Sequence, residues 1–543
     1  MYLKYQSPLS CDVLVIGGGG ASLWAALKAK EMGADVVLAS KSKVGLSNNT
    51  YIAGGLIAVA GMVGQKDSVD LYLKDTITGG RFLNDRKLVV RMAEEAKTLV
   101  SPMEGHGIDF ARDETGLQLR RVPGHSHPRH ISPSRPRGLN YLYPLKDSAR
   151  KLGIRLLDKL FITKLYSVGG QIAGASGLTD DGGFQAISAK CIILTTGGYG
   201  HVYRRTNNAA GITGDGLALA YGLGAGLMDL EFIQFYPTAM GNTGAQMIFY
   251  EFLVAQAGAR LINSKGEDVV IKHNLDDPMS ITRDRLARAI AIEISRGLDV
   301  DGGLLLDLGP VKDEHLRKAG DMIPMKWLTG EKRTILAPTT HFCMGGVMMD
   351  DKAETAVPGL FAAGEVCGGL HGANRLAGNA LAEVFAMGGL AGRNAALKAA
   401  DMEKTPQIPP SLLDEEKERL AYNPGGSGRD VRTLTAALKE AMWAGAGVIR
   451  DAASLKTALA QIEELKTSRL VCPKDNVCEL KKFQEFENML LLSEMICRSA
   501  LLRTESRGSH YRTDFPEEDN NWIKNIVVRK DDPGMKIEAV AVG

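Results

Sequence analysis

The chain has 543 residues, enough for about three or four domains at roughly 150 residues each. Hydrophobic residues make up 45% of it and charged residues 24%, values of an ordinary soluble globular protein that exclude disorder, collagen or a coiled coil as the dominant class. Lys and Arg number 65 against 63 Asp and Glu, so bulk charge gives no reason to expect a nucleic-acid partner.

The first predicted element is an apolar strand at residues 12–16, which runs into the glycine loop Gly17–Gly20. A helix and a second strand follow within residues 21–39, the β-loop-α-β order that starts a parallel sheet. Apolar strands at 191–195 and 359–364 have the same character. We therefore predict an α/β fold whose Rossmann-like nucleotide-binding domain is assembled from discontinuous segments.

The rest of the chain divides by composition and periodicity. An amphipathic run lies inside a mixed segment after the second group of strands, a proline-rich linker follows the third, and helical periodicity dominates beyond it. The predicted units are the nucleotide-binding domain at 1–238 and 339–405, an inserted α+β capping domain at 239–338, a helical domain at 411–515 and a polar, turn-rich C-terminal tail at 516–543.

Seven cysteines are scattered along the chain without a C-x-x-C pair. This pattern argues against iron–sulfur, zinc or disulfide frameworks within the chain, and we expect no metal site. No apolar run reaches the roughly 18 residues that cross a bilayer, and the N-terminus enters the first strand directly instead of forming a signal peptide. We expect a cytoplasmic protein with no membrane span of its own.

The glycine loop has the pattern of a dinucleotide site with two departures. Gly17 permits the tight turn, Gly19 lets the backbone approach a pyrophosphate, and the N-terminus of the following helix stabilises the phosphate charge. Ser22 stands where the pattern has a third glycine and is small enough to keep helix and strand close. The acid expected at the end of the second strand is absent, which leaves ribose recognition to Ser40.

Several longer motifs are specific in combination. They are Gly79-Gly80-Arg81-Phe82-Leu83-Asn84-Asp85, Gly124-His125-Ser126, Thr196-Gly197-Gly198, Thr213-Gly214-Asp215-Gly216, His341-Phe342-Cys343-Met344-Gly345-Gly346, Ala363-Gly364-Glu365, His371-Gly372-Ala373-Asn374-Arg375-Leu376 and the segment from Glu505 to Arg512. Together they resemble the flavoprotein subunits of the succinate dehydrogenase/fumarate reductase family, which includes L-aspartate oxidase. The resemblance covers nearly the whole chain.

The resemblance implies FAD as the cofactor. The implied binding positions lie in glycine-rich loops, where the backbone can approach a flat ligand. They are Gly17, Gly19, Gly20 and Ala21 for the pyrophosphate, Ser40 and Lys41 for the ribose, Ser47, Asn49, Thr50, Gly54 and Gly55 for the isoalloxazine, and Thr196, Gly197, Asp215, Glu365, Asn379 and Leu381 for further contacts.

Asn48 departs from the respiratory members of the family, many of which attach FAD through the histidine of a Ser-His-Thr triplet. Here the sequence reads Ser47-Asn48-Asn49-Thr50. Because position 48 has no histidine, we predict that FAD is bound non-covalently. A flavin without that link has a lower potential, which favours substrate reduction or oxidase-like chemistry over succinate oxidation.

The resemblance assigns Arg375 and His341 to the carboxylates of a small carboxylate substrate, and Arg283 to proton transfer. Charge-assisted donors suit the first task because they fix the orientation of a carboxylate. Arginine is normally fully protonated, so Arg283 needs a perturbed site or a relay to exchange protons.

Two departures make the predicted pocket less cationic. Tyr236 replaces the substrate-contacting histidine of the family's Gln-Phe-His-Pro-Thr motif. In the capping domain, Glu251 is a candidate acid, but apolar residues replace the arginine of the family's proton relay. These changes suit a substrate other than plain fumarate, or a rebuilt proton path.

The remaining candidate residues are interpreted by their context. His125 belongs to a Gly-His-Ser loop that lies near the flavin in relatives, whereas His127 and His130 are expected at the surface. His371, beside Arg375, is either a ligand or a turn residue. In the helical domain, Arg507, His510 and Arg512 are expected to contact either the flavin domain or a partner.

Three functions remain open. The first is an FAD-dependent oxidoreductase that transfers hydride between flavin N5 and a carbon–carbon single or double bond of a dicarboxylate or related carboxylate. It would be the catalytic subunit of a complex with an iron–sulfur electron-transfer subunit, and partner subunits could hold it at a membrane. The second is amine oxidation like that of L-aspartate oxidase. The third is an electron-transfer or assembly subunit that keeps FAD without fumarate turnover.

Overall fold

The computed structural model describes residues 4–62, 66–135, 137–241, 252–255, 257–275, 281–318, 332–421, 430–468, 476–531 and 534–543. The strands are β1 Lys4–Tyr5, β2 Leu9–Ile16, β3 Val36–Ser40, β4 Ile57–Ala58, β5 Arg112–Asp113, β6 Gly116–Leu117, β7 His130–Ile131, β8 Arg155–Asp158, β9 Phe161–Val168, β10 Gln171–Leu178, β11 Gly183–Leu194, β12 Leu227–Met228, β13 Ile233–Met240, β14 Arg260–Ile262, β15 Leu304–Asp307, β16 Arg333–Cys343, β17 Gly346–Val347, β18 Leu360–Ala362, β19 Lys524–Asp531 and β20 Gly534–Ala541.

The helices are α1 Gly20–Glu31, α2 Asn49–Ile52, α3 Val69–Gly79, α4 Arg86–Lys97, α5 Val100–Gly105, α6 Leu139–Lys151, α7 Asp215–Gly222, α8 Phe252–Ala255, α9 Val269–Lys272, α10 Arg283–Ser295, α11 Asp313–Lys318, α12 Asn379–Ala400, α13 Pro410–Ala421, α14 Val431–Ala446, α15 Ala452–Thr467 and α16 Val477–Leu502.

The largest sheet carries the nucleotide-binding fold. Strands β8, β3, β2 and β11 are parallel neighbours in that order, and β18 pairs with β11 in parallel. This pairing confirms that the three apolar strands lie in one sheet although they are far apart in the sequence. The antiparallel strands β10 and β9 extend the sheet beyond β11. Because helices cover the parallel part on its faces, β3 is buried along its whole length.

Helix α1 follows β2 and packs against α12. Most of α1 is buried, including Trp24 and Leu27. A Cβ atom at Gly392 of α12 would lie 2.3 Å from the Ala25 carbonyl oxygen, so only glycine lets the two helices approach this closely. The contact positions the start of α1, where the glycine loop ends.

The inserted segment builds a second sheet in the order β13-β16-β15-β14. Its own hydrophobic cluster includes Leu261, Leu286 and Leu304. Helix α10 crosses this sheet and begins at Arg283. The predicted limits of the capping domain fall within β13 and β16, so the described strands run through both limits without a linker. The domain limits themselves stay predictions.

Helices α13 to α16 occupy the region that was predicted to be helical, and α14, α15 and α16 contact one another. Within the described residues, no helix is long and apolar enough to cross a membrane.

The C-terminal residues contradict the prediction of a turn-rich tail. Strands β19 and β20 form an antiparallel hairpin, and β19 also pairs with β12. Residues Ile526, Val527 and Val528 are buried, whereas β20 is partly exposed along its length. The exposed residues of β19 are all charged, and these charges hid the strand pair from the sequence interpretation.

Candidate active site

The glycine loop between β2 and α1 has the geometry that a dinucleotide site requires. Gly17 has φ +143°, and a Cβ atom there would lie 2.3 Å from the Thr195 carbonyl oxygen. Ser22 is buried and shares a hydrogen bond of 2.9 Å with Thr195 Oγ1, which confirms that serine keeps α1 close to the sheet. The first turn of α1 holds no acidic residue, so its positive end suits a phosphate.

Ser40 and Lys41 follow β3 at the carboxyl end of the sheet. Ser40 is buried. The Lys41 ammonium donates to Asp215 at 2.5 Å, to Glu485 at 2.7 Å and to Thr213 at 2.9 Å. Burial alone would lower the pKa of Lys41, but the two carboxylates outweigh it and the pKa is raised. Lys41 therefore connects the end of β3 to α16. It is also one of the two residues predicted to lie near the ribose of FAD.

The loop after β3 is fastened to the glycine loop by side chains. Asn48 caps α2, because its Oδ1 accepts from the Tyr51 N–H at 2.9 Å, and its Nδ2 donates to the Gly18 carbonyl at 3.2 Å. Thr50 Oγ1 accepts from the Gly20 N–H at 3.2 Å. The position that carries the covalent histidine in respiratory relatives is thus a helix cap here.

Glycine and serine conformations shape the rest of this loop. Ser47 and Gly55 adopt left-handed φ angles of +52° and +84°, and the Tyr141 hydroxyl donates to the Gly55 carbonyl at 2.8 Å. Gly54, the preceding residue, also has no side chain. The loop therefore presents backbone, which fits a flat ligand.

Thr196 provides a test of whether FAD fits. Its hydroxyl is buried beside Gly197 and finds no hydrogen-bond partner within the described ranges, so a ligand hydroxyl or phosphate oxygen there would satisfy it. Asn379 begins α12, and its amide is engaged with the Tyr72 hydroxyl at 3.0 Å and with Thr76 at 3.2 Å. Ala21 and Leu381 are buried near these helix starts. Together with the glycine loop, these features fit FAD.

Asn49 and Glu365 form a buried pair on the cofactor side. Asn49 Nδ2 donates to Glu365 Oε2 at 2.8 Å and to Asn208 Oδ1 at 2.6 Å, while its Oδ1 accepts from the Ala209 N–H at 3.0 Å. The Cys343 N–H donates to Glu365 Oε1 at 3.1 Å. Burial raises the pKa of Glu365 to about 7, although the hydrogen bonds from Asn49 and Cys343 oppose the rise.

Three predicted catalytic residues meet between β13, β16 and α10. The guanidinium carbon of Arg283 lies 4.7 Å from the centre of the Tyr236 ring, and that ring lies 5.1 Å from the His341 ring, centre to centre. Tyr236 is fully buried. The structure therefore brings Tyr236, His341 and Arg283 together at one place.

Arg375 reaches the same region from the loop before α12. Its Nη2 donates to Gln234 Oε1 at 2.7 Å, and its guanidinium carbon lies 4.7 Å from the Phe342 ring centre. Gln234 Nε2 donates to Asn374 Oδ1 at 3.0 Å, and Asn374 Nδ2 donates to Asp284 Oδ1 at 3.2 Å. This chain of contacts connects the Arg375 loop with the start of α10, next to Arg283.

The charges around His341 keep it neutral. Burial lowers the pKa of His341 well below its ordinary value, and the positive charges of Arg283 and Arg375 lower it further. His341 Nδ1 lies 3.1 Å from Asn207 Nδ2. The site thus holds two guanidinium groups and a neutral imidazole, a set that can bind and orient carboxylates.

The histidines of the Gly-His-Ser loop correct one expectation, since His130 is fully buried instead of lying at the surface. Strand β7 pairs with β4 and draws His130 inward. The rings of His125 and His130 are 4.4 Å apart, and both Nε2 atoms lie near the Ala377 carbonyl oxygen, at 3.0 and 3.1 Å. Burial lowers the pKa of His125 to about 2 and that of His130 to about 4. His127 is half-buried.

Other candidates have structural partners inside the chain. His371 Nε2 lies 2.8 Å from Glu383 Oε2, and both residues are buried. Arg507 donates to the Arg81 carbonyl at 3.1 Å, so it contacts the flavin domain, and the buried His510 and Arg512 also bond within the chain. Glu251 lies outside the described residues, and its role stays a prediction.

Sequence reasoning missed the amide and carboxylate side chains that join the predicted residues. Gln234 stood within a motif but was not singled out, and Glu383 and Glu485 lie on helices whose pattern is dominated by apolar packing. Asn207 and Asn208 lie in an irregular segment, where adjacent asparagines were the available signal.

The fold and the glycine-rich loops together define an FAD-dependent oxidoreductase. A family model described as "FAD binding domain" matches residues 12–381, and one described as "Fumarate reductase flavoprotein C-term" matches residues 435–543. The chain belongs to the succinate dehydrogenase/fumarate reductase flavoprotein family.

Named relatives agree with this assignment. The chain is 36% identical over 534 residues to a fumarate reductase (CoM/CoB) subunit of Methanothermobacter marburgensis, covering 96% of this chain and 97% of the relative. It is also 33% identical over 522 residues to L-aspartate oxidase of Saccharolobus solfataricus, covering 95% and 100%.

Solved structures give the same result. Mycobacterium smegmatis Sdh1 in complex with UQ1 matches with a TM-score of 0.89 at 32% identity, covering 99% of this chain and 95% of that chain. A quinol-fumarate reductase with menaquinol molecules also has a TM-score of 0.89, at 25% identity and 99% coverage of both chains. The chain is therefore an FAD-binding enzyme of the fumarate reductase type.

Proposed function

We propose that this protein reduces the carbon–carbon double bond of fumarate or a closely related enedioate, as the catalytic flavoprotein subunit of a complex, with FAD held non-covalently. The observation that carries the proposal is the meeting of Arg283 and His341 at the Tyr236 ring, with Arg375 near enough for its charge to act on the His341 imidazole. Two fixed cations and an imidazole match the two carboxylates of such a substrate.

Each residue of the site has a separate role in binding the substrate or in transferring the proton. Arg375, held by Gln234 and Phe342, binds one carboxylate, and His341 donates a hydrogen bond to the other. When bound and reduced, FAD would supply the hydride for one carbon of the double bond. A guanidinium N–H of Arg283 delivers the proton to the other carbon and regains it from solvent, and Tyr236 holds that guanidinium in place through its ring.

Helix α10 is anchored at two places. Asp284 is tied to Asn374, and Arg288 Nη2 donates to the Gly508 carbonyl at 3.2 Å while its guanidinium packs 4.3 Å from the Tyr511 ring centre. The capping segment is therefore anchored at both the flavin domain and the C-terminal segment. Such anchoring supports exclusion of water during the reaction.

Asn48 supports non-covalent FAD. Asparagine has no nucleophilic ring nitrogen, and its amide is already engaged as the cap of α2. The chemical test is release of FAD into the supernatant when acid unfolds the protein. FAD that stays with the precipitated chain would contradict this part of the proposal.

The electron source is a further part of the proposal. Among the described residues, no group of three or more His, Cys, Asp or Glu could hold a metal ion. Relatives are named as subunits of fumarate reductases. We infer that a separate iron–sulfur subunit delivers electrons to this chain and that any attachment to a membrane runs through such partners.

Amine oxidation is the second candidate. The Gly-His-Ser loop, the asparagine at position 48 and the similarity to L-aspartate oxidase favour it. The two candidates differ in the flavin half-reaction. L-aspartate would reduce the oxidised flavin of an amine oxidase, whereas it would leave a dedicated fumarate reductase oxidised.

The deciding experiment is anaerobic. The purified holoprotein is reduced chemically, fumarate is added, and the flavin absorbance is followed while succinate is measured. We expect reoxidation with succinate formed in equal amount to FAD. A flavin that stays reduced with fumarate, but is reduced from the oxidised form by L-aspartate, would overturn the first candidate in favour of the second.

A further inference from the structure

Asn49 replaces the threonine of the family's Ser-His-Thr triplet, and an amide can do what a hydroxyl cannot. A threonine hydroxyl donates one hydrogen bond and accepts through the same oxygen, whereas an asparagine amide donates two from its nitrogen and accepts through a separate oxygen. The structure uses all of this capacity, because Asn49 donates to Glu365 and Asn208 and accepts from the Ala209 N–H. The substitution therefore creates a bridge that threonine could not make.

One end of the bridge lies on the cofactor side. Glu365 is buried, and its two oxygens accept from the neutral donors Asn49 Nδ2 and Cys343 N–H. The ionisable groups whose charges act on Glu365 include Glu383 and Arg375. A buried carboxyl that relies on neutral donors is sensitive to the loss of either one.

The other end lies on the substrate side. Asn208 Nδ2 donates to Thr206 Oγ1 at 2.9 Å and to the Thr340 carbonyl at 3.2 Å, which fixes this segment along β16. The neighbouring Asn207 contacts His341 Nδ1. Moving the segment would therefore move the partner of the imidazole that faces the substrate.

We propose that Asn49 is a positioning residue that couples the cofactor side of the site to the substrate side, by holding Glu365 and the 206–209 segment in one hydrogen-bond network. The proposal rests on the proposed function for its substrate side. Its consequence is that a change at Glu365 alters carboxylate binding at His341 more strongly while Asn49 is present than after Asn49 is replaced, since the Cys343 N–H also joins Glu365 to β16.

A double-mutant cycle tests this coupling. Malonate is the probe, because it is a dicarboxylate without a double bond and cannot be reduced. Its dissociation constant is measured from the absorbance change of the oxidised holoprotein for wild type, E365Q, N49T and the double variant, after FAD content is checked. N394T is the matched control, since the Asn394 amide bonds the Lys352 carbonyl in an exposed contact.

The coupling predicts that E365Q weakens malonate binding by about threefold or more in wild type and by less than about twofold in the N49T background. N394T is expected to match wild type. Equal effects of E365Q in both backgrounds, or no effect in either, would overturn the proposal. If N49T loses FAD, N49S takes its place, since serine also offers a single hydroxyl donor.

A second cycle separates failure of the coupling from failure of the proposed function. The reduction potential of bound FAD is compared for wild type, N207A, N49T and N49T/N207A, with no substrate present. Coupling predicts that N207A shifts the potential only when Asn49 is present. If malonate causes no absorbance change in the wild-type protein, the proposed substrate class is wrong. The reduction potentials of the four proteins then decide by themselves whether Asn49 couples the two sides.

Discussion

At the residue scale, Tyr236 shows how a departure from the family pattern can serve the same site. The ring carries no charge near neutral pH, but its face attracts the Arg283 guanidinium at 4.7 Å and its edge packs with His341 at 5.1 Å. Tyr236 thus positions the Arg283 guanidinium and the His341 ring. In the family pattern this position carries a histidine that contacts substrate.

The Tyr236 ring can be tested directly. Because a partly desolvated cation–π contact contributes about 1–2 kcal/mol, Y236L should lower kcat for fumarate by roughly 5- to 30-fold. Y236F keeps the ring and should lose less activity than Y236L. Equal loss in the two variants would show that the hydroxyl, and not the ring, is what the site requires.

His341 gives a prediction about pH. In the ligand-free protein its pKa lies well below the ordinary value because of burial and of Arg283 and Arg375. A bound dianion favours the imidazolium, so its pKa rises on binding and a proton is taken up. Malonate should therefore bind more tightly as pH falls, by up to about tenfold per pH unit between the two pKa values.

The control for this pH dependence is H341Q, whose amide does not titrate. Its malonate dissociation constant should be less dependent on pH than that of wild type over the same range. A wild-type dissociation constant that stays constant from pH 8 to about pH 6 would contradict proton uptake at His341.

The site residues that the sequence predicted are those whose residue type by itself indicates their chemical role. Arginines and histidines in motifs, and glycines before a helix, could be picked out because few residue types bind carboxylates or phosphates. The amides that connect them could not, since Asn207 and Asn208 lie in an irregular segment with no periodicity. His130 was misplaced because a short strand pair, not its basic neighbours, decides its burial.

At the element scale, the helix contact between α1 and α12 positions the glycine loop. Gly392 is required because a Cβ atom would meet the Ala25 carbonyl oxygen at 2.3 Å. The sequence predicted α1 and four strands of the largest sheet, β2, β3, β11 and β18, because apolar runs and glycine signals are local. It did not predict the C-terminal hairpin, since the exposed residues of β19 are charged and the partner of that strand, β12, lies far away in the sequence.

Gly392→Ala tests that contact. The added methyl group overpacks the helix interface and should lower the free energy of unfolding by about 1–3 kcal/mol, with weaker retention of FAD. Gly222→Ala is the control, because nothing lies within 4 Å of a Cβ atom there. Urea unfolding measures both, and equal stability of the two variants would contradict the close approach of the helices.

At the scale of the whole molecule, Arg503 joins parts of the chain that are distant in sequence. It is fully buried, and its guanidinium donates to Glu231 at 2.8 Å, to Glu505 at 3.0 Å and to the Lys524 carbonyl at 2.8 Å. Asp229 lies beside this cluster, where burial raises its pKa to about 7. The turn between β12 and β13, the end of α16 and the C-terminal hairpin therefore depend on one buried charge.

Removing that charge should be costly. R503A leaves buried carboxylates without their cation, and we expect a loss of about 3–5 kcal/mol in the free energy of unfolding. The control R498A removes a half-exposed partner of Glu494 and should cost less than about 1 kcal/mol. A loss below that of R498A would show that the cluster does not hold these parts together. Sequence reasoning had no access to this cluster, because its members are brought together only by the fold.

Substitution R283Q tests whether this chain reduces an enedioate with Arg283 as proton donor. Reduced wild type and R283Q are mixed with fumarate without oxygen, and malonate binding to the oxidised forms is measured in parallel. We predict rapid reoxidation of wild type and a loss of roughly 100-fold or more in R283Q, as expected for a general acid, with malonate still bound. Equal rates in both proteins, or a wild-type flavin that stays reduced, would contradict the account.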